Sequence, residues 1–210
     1  MNARRVRNGM TLLEVIVALT VAGAALAAGA SVLGFLTDQQ NRSGAQAVSS
    51  AHAVRSALRN WVADAQLSTQ GDADFRAAPR GARLEHDDEF TFVTSAPTDV
   101  ARTGTIVRLY VEHATTDSVR GLIAELRPWR KEGAARRMSL APAATGLSVR
   151  FLPSQFGNRK WETRWATSPV LPAAVELVVR FDTTHASGTN DLAAQSLLAI
   201  PMTIALGAHR

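Results

Sequence analysis

Arg4-Arg5-Val6-Arg7-Asn8-Gly9-Met10-Thr11-Leu12-Leu13-Glu14-Val15 leads into twenty-two residues, Val15 to Leu36, without one charged side chain. A helix rises about 1.5 Å per residue, so about 20 apolar residues cross a hydrocarbon layer of about 30 Å. Val15 to Leu36 is long enough. Arg4, Arg5 and Arg7 precede the run and the single Asp38 follows soon after it. By the positive-inside rule this keeps the N-terminus cytoplasmic and carries the bulk of the chain across.

A secretory signal peptide also starts basic, but its apolar region holds about 7–15 residues and ends at a small-residue cleavage site. Ala27-Ala28-Gly29-Ala30 is such a site by composition. Glu14 argues against it, because a carboxylate within an apolar helix costs about 2.5–3.5 kcal/mol near a bilayer centre, less near an interface, and needs a partner. An uncleaved signal anchor with a stray Glu is the plainer alternative. Ala22, Gly23, Ala24, Ala25, Ala27, Ala28, Gly29 and Ala30 would let helices approach closely, although an alanine-rich genome yields the same stretch.

Gly9, Met10, Thr11, Leu12 and Glu14 together resemble the type IV prepilin family, which includes the pseudopilins of type II secretion systems. The resemblance implies cleavage between Gly9 and Met10 by a membrane prepilin peptidase, followed by N-methylation of Met10. It further implies that Thr11, Leu12 and Glu14 serve assembly, with Glu14 pairing with the terminal amine of a neighbouring subunit. Each charge then offsets the other's desolvation.

Beyond the apolar run, residues from Thr37 to about Leu67 are rich in helix formers, and the first proline is Pro79. Val48, Ala51, Val54, Leu58, Trp61 and Ala65 recur at steps of three and four and lay down one apolar stripe. Gln70-Gly71-Asp72 ends the stretch, and the period then changes. Glu89 to Val93, Thr105 to Val111, Gly121 to Arg127, Leu147 to Phe151, Val175 to Phe181 and Leu197 to Leu206 read as strands, with Pro201 placed at an edge or bulge of the last.

The expected fold is α+β and pilin-like: a long N-terminal transmembrane and spine helix packed on an antiparallel β-sheet domain. Its parts are a leader over 1–9, a membrane helix over 10–36, a periplasmic helical continuation over 37–68 and a β-rich globular domain over 69–210. A length of 210 residues suits that plan. Leu171-Pro172-Ala173-Ala174-Val175-Glu176-Leu177-Val178-Val179, after Trp161 and Trp165, is similar to the late strand of the J-type minor pseudopilin. That likeness implies a tip subunit beneath the outermost one. The implied partners are the I-type and K-type minor pseudopilins, the H-type as a further candidate, the major pseudopilin, the prepilin peptidase and the inner-membrane assembly platform. A minor pilin of a type IV pilus shares the same N-terminal chemistry, and an anchored periplasmic enzyme or binding protein is a third class.

Composition narrows other functions. The chain has no cysteine, so disulfides and thiolate sites are out of reach. The sequence pI near 10.8 looks like that of a nucleic-acid binder. Removing the three leader arginines from 23 basic residues leaves 20 against 18 acidic ones, and that balance attracts polyphosphate weakly. Arg127-Pro128-Trp129-Arg130-Lys131 with Arg136 and Arg137 is diluted by Glu125 and Glu132 and reads as a charged hairpin loop, so no nucleic-acid partner is expected. Glu85-His86-Asp87-Asp88-Glu89 is the densest set of oxygen and imidazole ligands, but successive residues of an extended segment point to opposite faces. The five histidines are scattered, and no Gly-x-Ser-x-Gly or phosphate-cradling loop occurs. Neither a metal, a cofactor nor catalysis is expected. Trp129, Trp161 and Trp165, in predicted loops, are candidates for burial against partner subunits.

Overall fold

The first helix, α1, runs from Leu12 to Ala63 in a computed structural model. The model describes residues 12–68, 75–80, 87–102, 104–113, 120–130, 133–154, 160–165, 170–182 and 189–206; the side chains of 12–14, 18, 24–44 and 189–191 lie outside that description. Contacts divide the chain into residues 1–45 and residues 46–210.

Within the second unit, the last turns of α1 show the expected stripe. Ala51, Leu58 and Trp61 are buried, as is Ala65 just past the helix end, and Val48 and Val54 are half-buried. The helix ends at Ala63, short of Leu67. The cause is a neighbouring strand: the carbonyl of Asp64 accepts the backbone N–H of Ser95 at 3.1 Å, with the Ser95 hydroxyl at 3.3 Å. Ala65 and Gln66 form strand β1 opposite Thr94 and Val93. Pairing with a strand edge thus outcompetes further helix, as tertiary context overrides propensity.

Five strands follow in sequence: β2 (Arg76–Pro79), β3 (Asp88–Thr94), β4 (Thr105–Glu112), β5 (Gly121–Pro128) and β6 (Arg136–Ala141). β3 to β6 form an antiparallel meander, and β1 and β2 pair with different ends of β3. A second sheet contains β7 (Ala144–Leu152), β8 (Ala174–Phe181) and β9 (Met202–Ala205) in the order β7-β8-β9, all antiparallel. Between β8 and β9 lies helix α2, Thr189–Ala199.

Strand periodicity decides the inner faces. Phe90 and Phe92 on β3, Val107, Leu109 and Val111 on β4, and Leu122, Ala124 and Leu126 on β5 share one core with Leu147, Val149 and Phe151 on β7 and Val175, Leu177 and Val179 on β8. An aromatic cluster fills its middle. The Phe90 ring lies 4.7 Å from Phe92, 5.3 Å from Phe75 and 5.8 Å from Phe151, the last two edge to face.

One expected strand is corrected. Leu197 to Leu206 is not one strand, because α2 occupies residues up to Ala199 and only Met202–Ala205 is extended. Ala193, Ala194, Leu197, Leu198 and Ala199 favour helix, and Pro201 separates the two elements because it cannot continue one. The sequence of α2 has no basic residue in its last turn. Arg55 of α1 supplies the missing cation: its Nη1 donates to the carbonyls of Leu197 at 2.8 Å and Ile200 at 2.7 Å. These are groups that a helix end leaves without internal partners. Burial and nearby Arg59 lower the pKa of Arg55 without threatening its charge.

Arg55→Met keeps the apolar stem and removes both donors. Global stability in urea should fall by about 1–3 kcal/mol, and amide exchange should accelerate in α2 before it does in β4 and β5. An α2 that exchanges at the parent rate would show that Arg55 does not hold it.

Candidate functional site

Gly9, Met10 and Thr11 lie outside the described residues. Leu12 and Glu14 stand in the first turns of α1, with their side chains also outside. The side chains described next are apolar and exposed: Val15 at 40%, Ile16 at 51%, Val17 at 52%, Leu19 at 68% and Val21 at 63%. Neighbours along a helix differ by about 100° in direction, so Val15, Ile16 and Val17 alone cover most of the circumference. An apolar exterior over residues 15–21 is surface that lipid or an apolar partner would stabilise better than water does. The one hydroxyl here fits that setting, because Thr20 donates to the carbonyl of Val17 at 2.8 Å and needs no outside partner.

Among the described residues, no helix is long and apolar enough to cross a membrane. Most of the expected span, from residue 24 onward, lies outside the side chains described.

Of the three tryptophans singled out by sequence, Trp129 follows β5, and Trp161 and Trp165 share the connection between β7 and β8. The Trp129 backbone N–H donates to the Gly104 carbonyl at 2.9 Å, and Arg130 stacks over its ring at 4.0 Å. Gly104 has φ +70, and a Cβ there would meet the Trp129 ring at 3.1 Å, so glycine serves both the backbone and the ring. Trp165 is half-buried 5.7 Å from Phe151, and its carbonyl accepts the Ala77 N–H at 3.3 Å. Trp161 lies beneath Arg150, whose guanidinium is 5.8 Å from the ring.

The charged clusters pair with other groups of the protein on its surface. Arg136 lies 3.5 Å from Asp99. Arg137 donates to the Tyr110 hydroxyl at 2.6 Å and to Glu112 at 3.2 Å, and the first of these bonds raises its pKa. Arg136 and Arg137 belong to β6, not to a loop. Of the acidic set, Glu85 and His86 lie outside the described residues. Asp87 is buried 3.7 Å from His113, Asp88 accepts the Val149 N–H at 2.8 Å, and Glu89 holds Arg108 with both oxygens at 2.7 Å. These three carboxylates turn to three different partners. Among the described residues, no three His, Cys, Asp or Glu side chains converge as metal ligands.

Sequence reading missed an apolar cleft of about 530 Å³ in the second unit. Val54, Ala57 and Trp61 of α1 form one wall, and Leu126, Met138 and Leu140 of β5 and β6 form the other. Val54 and Trp61 were on the visible stripe. The opposite wall depends on β6, whose arginines read as a loop.

A model of the prokaryotic N-terminal methylation motif matches residues 4–30. The N-terminus is type IV prepilin-like. The matched stretch includes Gly9, Met10, Thr11, Leu12 and Glu14, and such a motif is typical of proteins anchored in a membrane and assembled in the envelope. The α+β architecture with antiparallel sheets is consistent with a pilin-like globular domain. No curated protein matches the chain at a significant level.

The Arg108 hydrogen bonds lower the pKa of Glu89 more than its burial raises it. A depressed carboxylate stabilises the fold fully above its unfolded pKa of about 4.3, and that contribution is lost as pH falls through the lower folded value. Glu89→Gln should therefore cost about 0.5–1 kcal/mol at pH 7, the pair being partly exposed and screened. The gap to the parent should close between about pH 5 and pH 3 in urea titrations. A gap that stays constant across that window would remove Glu89 as its source.

Proposed function

We propose that the chain is a minor pseudopilin of a type II secretion system, a non-catalytic subunit that joins other minor pseudopilins in the tip complex and initiates the pseudopilus. The observation that carries this reading is the methylation motif over residues 4–30, followed by a helix with an apolar exterior. In this reading the prepilin peptidase cuts between Gly9 and Met10, and the new Met10 amine is methylated. The helix over 10–36 holds the subunit in the bacterial inner membrane, with the N-terminus cytoplasmic and the C-terminal domain periplasmic, until the assembly platform draws it into the fibre.

The chemistry explains why the leader must go. Before cleavage Met10 is an amide within the chain; afterwards it is a cation one helical turn from Glu14. A cation and a carboxylate from adjacent subunits neutralise each other where water is scarce, and a wrong axial register leaves both unpaired. That penalty is what selects the register.

The J-type assignment rests on the likeness of Leu171 to Val179. It names the I-type and K-type subunits as direct partners, with the H-type and major pseudopilins further down. Tryptophan supports contact surfaces in such assemblies, and Trp129, Trp161 and Trp165 are the residues proposed for them. The motif is shared with the minor pilins of type IV pili, for adhesion, motility or DNA uptake, and partner choice separates the two.

Glu14→Ala should insert into the membrane at parental levels and enter the fibre at least tenfold less, read by shearing and fractionating cells. Co-purification of the full chain with I-type and K-type subunits is expected for the secretion role. Capture of type IV pilus subunits instead would move the protein to the pilus reading, and parental incorporation of Glu14→Ala would exclude the register role.

A further inference from the structure

The outer face of the first sheet carries a second, smaller cleft, of about 260 Å³. It is built across four neighbouring strands. Arg76 on β2, Thr91 on β3, Arg108 on β4 and Glu125 on β5 are consecutive cross-strand partners and form one row. Ile106 and Arg127, partners in an adjacent row, close one end, and Glu89 closes the other. Side chains of one row share a face, so three guanidiniums and two carboxylates meet in one small space.

The two carboxylates are held internally. Both oxygens of Glu89 accept from Arg108 Nε and Nη2 at 2.7 Å, and Arg108 Nη1 faces Glu125 at 3.7 Å. Arg108 thus binds Glu89 and faces Glu125, and three guanidiniums against two carboxylates leave the lining with one positive charge in excess. At its floor, Thr91 is 3% exposed, and its hydroxyl oxygen has no hydrogen-bond partner. Most buried hydroxyls in folded proteins are hydrogen-bonded, so a position that keeps one without a partner is unusual. The arms above it are not fixed by burial: Arg76 is exposed and the Arg108 side chain is 40% exposed.

We propose that this cleft binds an oxyanion, a carboxylate or a phosphate group. Arg76, with Arg127 beside it, donates to its oxygens once its exposed side chain folds over the cleft, and the Thr91 hydroxyl donates from the floor. Guanidinium forks match the planar or tetrahedral oxygen pairs of these groups, and the bond to an ionised acceptor is the stronger kind. A cation is disfavoured because guanidiniums outnumber carboxylates in the lining and both oxygens of Glu89 are bonded to Arg108. The size limits the ligand to a single group, either a free small anion or one acidic side chain of a partner.

The test is calorimetric titration of the full chain in neutral detergent at low ionic strength with two probes, inorganic phosphate and an acetylated Asp-Glu dipeptide amide. At least one probe should bind saturably. Arg76→Gln should weaken that binding at least tenfold and Thr91→Val at least threefold, while Arg102→Gln, an exposed arginine outside the cleft, should leave it unchanged. Phosphate binding alone would identify a free anion, and dipeptide binding a protein carboxylate; each supports the site. No saturable binding of either probe, or equal binding by a folded Arg76→Gln variant, would overturn it.

Discussion

Everything in the globular unit depends on one helix stripe being buried against the inner faces of two sheets. Leu58 and Val62 are almost wholly excluded from solvent, as are Phe90, Phe92 and Phe151 opposite them in the same core. Without cysteine, no cross-link supports this arrangement. Apolar contact must hold it, at about 3–5 kcal/mol for each large aromatic side chain that truncation would remove. The same packing ends the helix: once β3 lies against α1, its edge takes Asp64, Ala65 and Gln66 into the sheet.

The outer faces follow a different rule. Arginine accounts for nearly all the basic charge, with only Lys131 and Lys160 as lysines. Its long stem covers apolar or aromatic surface while the planar head bonds at the rim. Tyr110 illustrates this, because Arg80, Arg108 and Arg137 lie 4.4, 5.2 and 5.8 Å from its ring centre and leave it 2% exposed. In the second sheet Arg150 lies opposite Glu176 on the neighbouring strand and donates to it from Nε at 2.8 Å. Among the described arginines, Arg55, Arg80, Arg108, Arg137 and Arg150 thus serve the fold.

Where local pattern and tertiary setting agreed, the fold was legible in the residues. The stripe from Ala51 to Trp61 and the strands around Phe92, Leu109, Ile123, Val149 and Leu177 announce themselves by period alone. β1 and β2 do not, because Ala65-Gln66 and Arg76–Pro79 are extended only through their partner β3. Arg136 and Arg137 concealed β6, since a strand whose outward side chains pair with Asp99, Tyr110 and Glu112 looks like a charged loop when those partners are unseen. α2 was hidden by its continuity with the apolar run into β9. The N-terminal methylation motif was readable because its residues are consecutive. Both clefts were not, because each requires strands that only the sheet brings together.

The central claim is that Gly9 ends a leader and that Met10 is the true N-terminus of a helix retained for assembly. Intact mass and N-terminal peptide analysis of the protein isolated from its native membrane reads this directly. A chain that begins at Met10 and carries one N-methyl group is expected. A chain that begins at Met1, or one cut after Ala30, would contradict it.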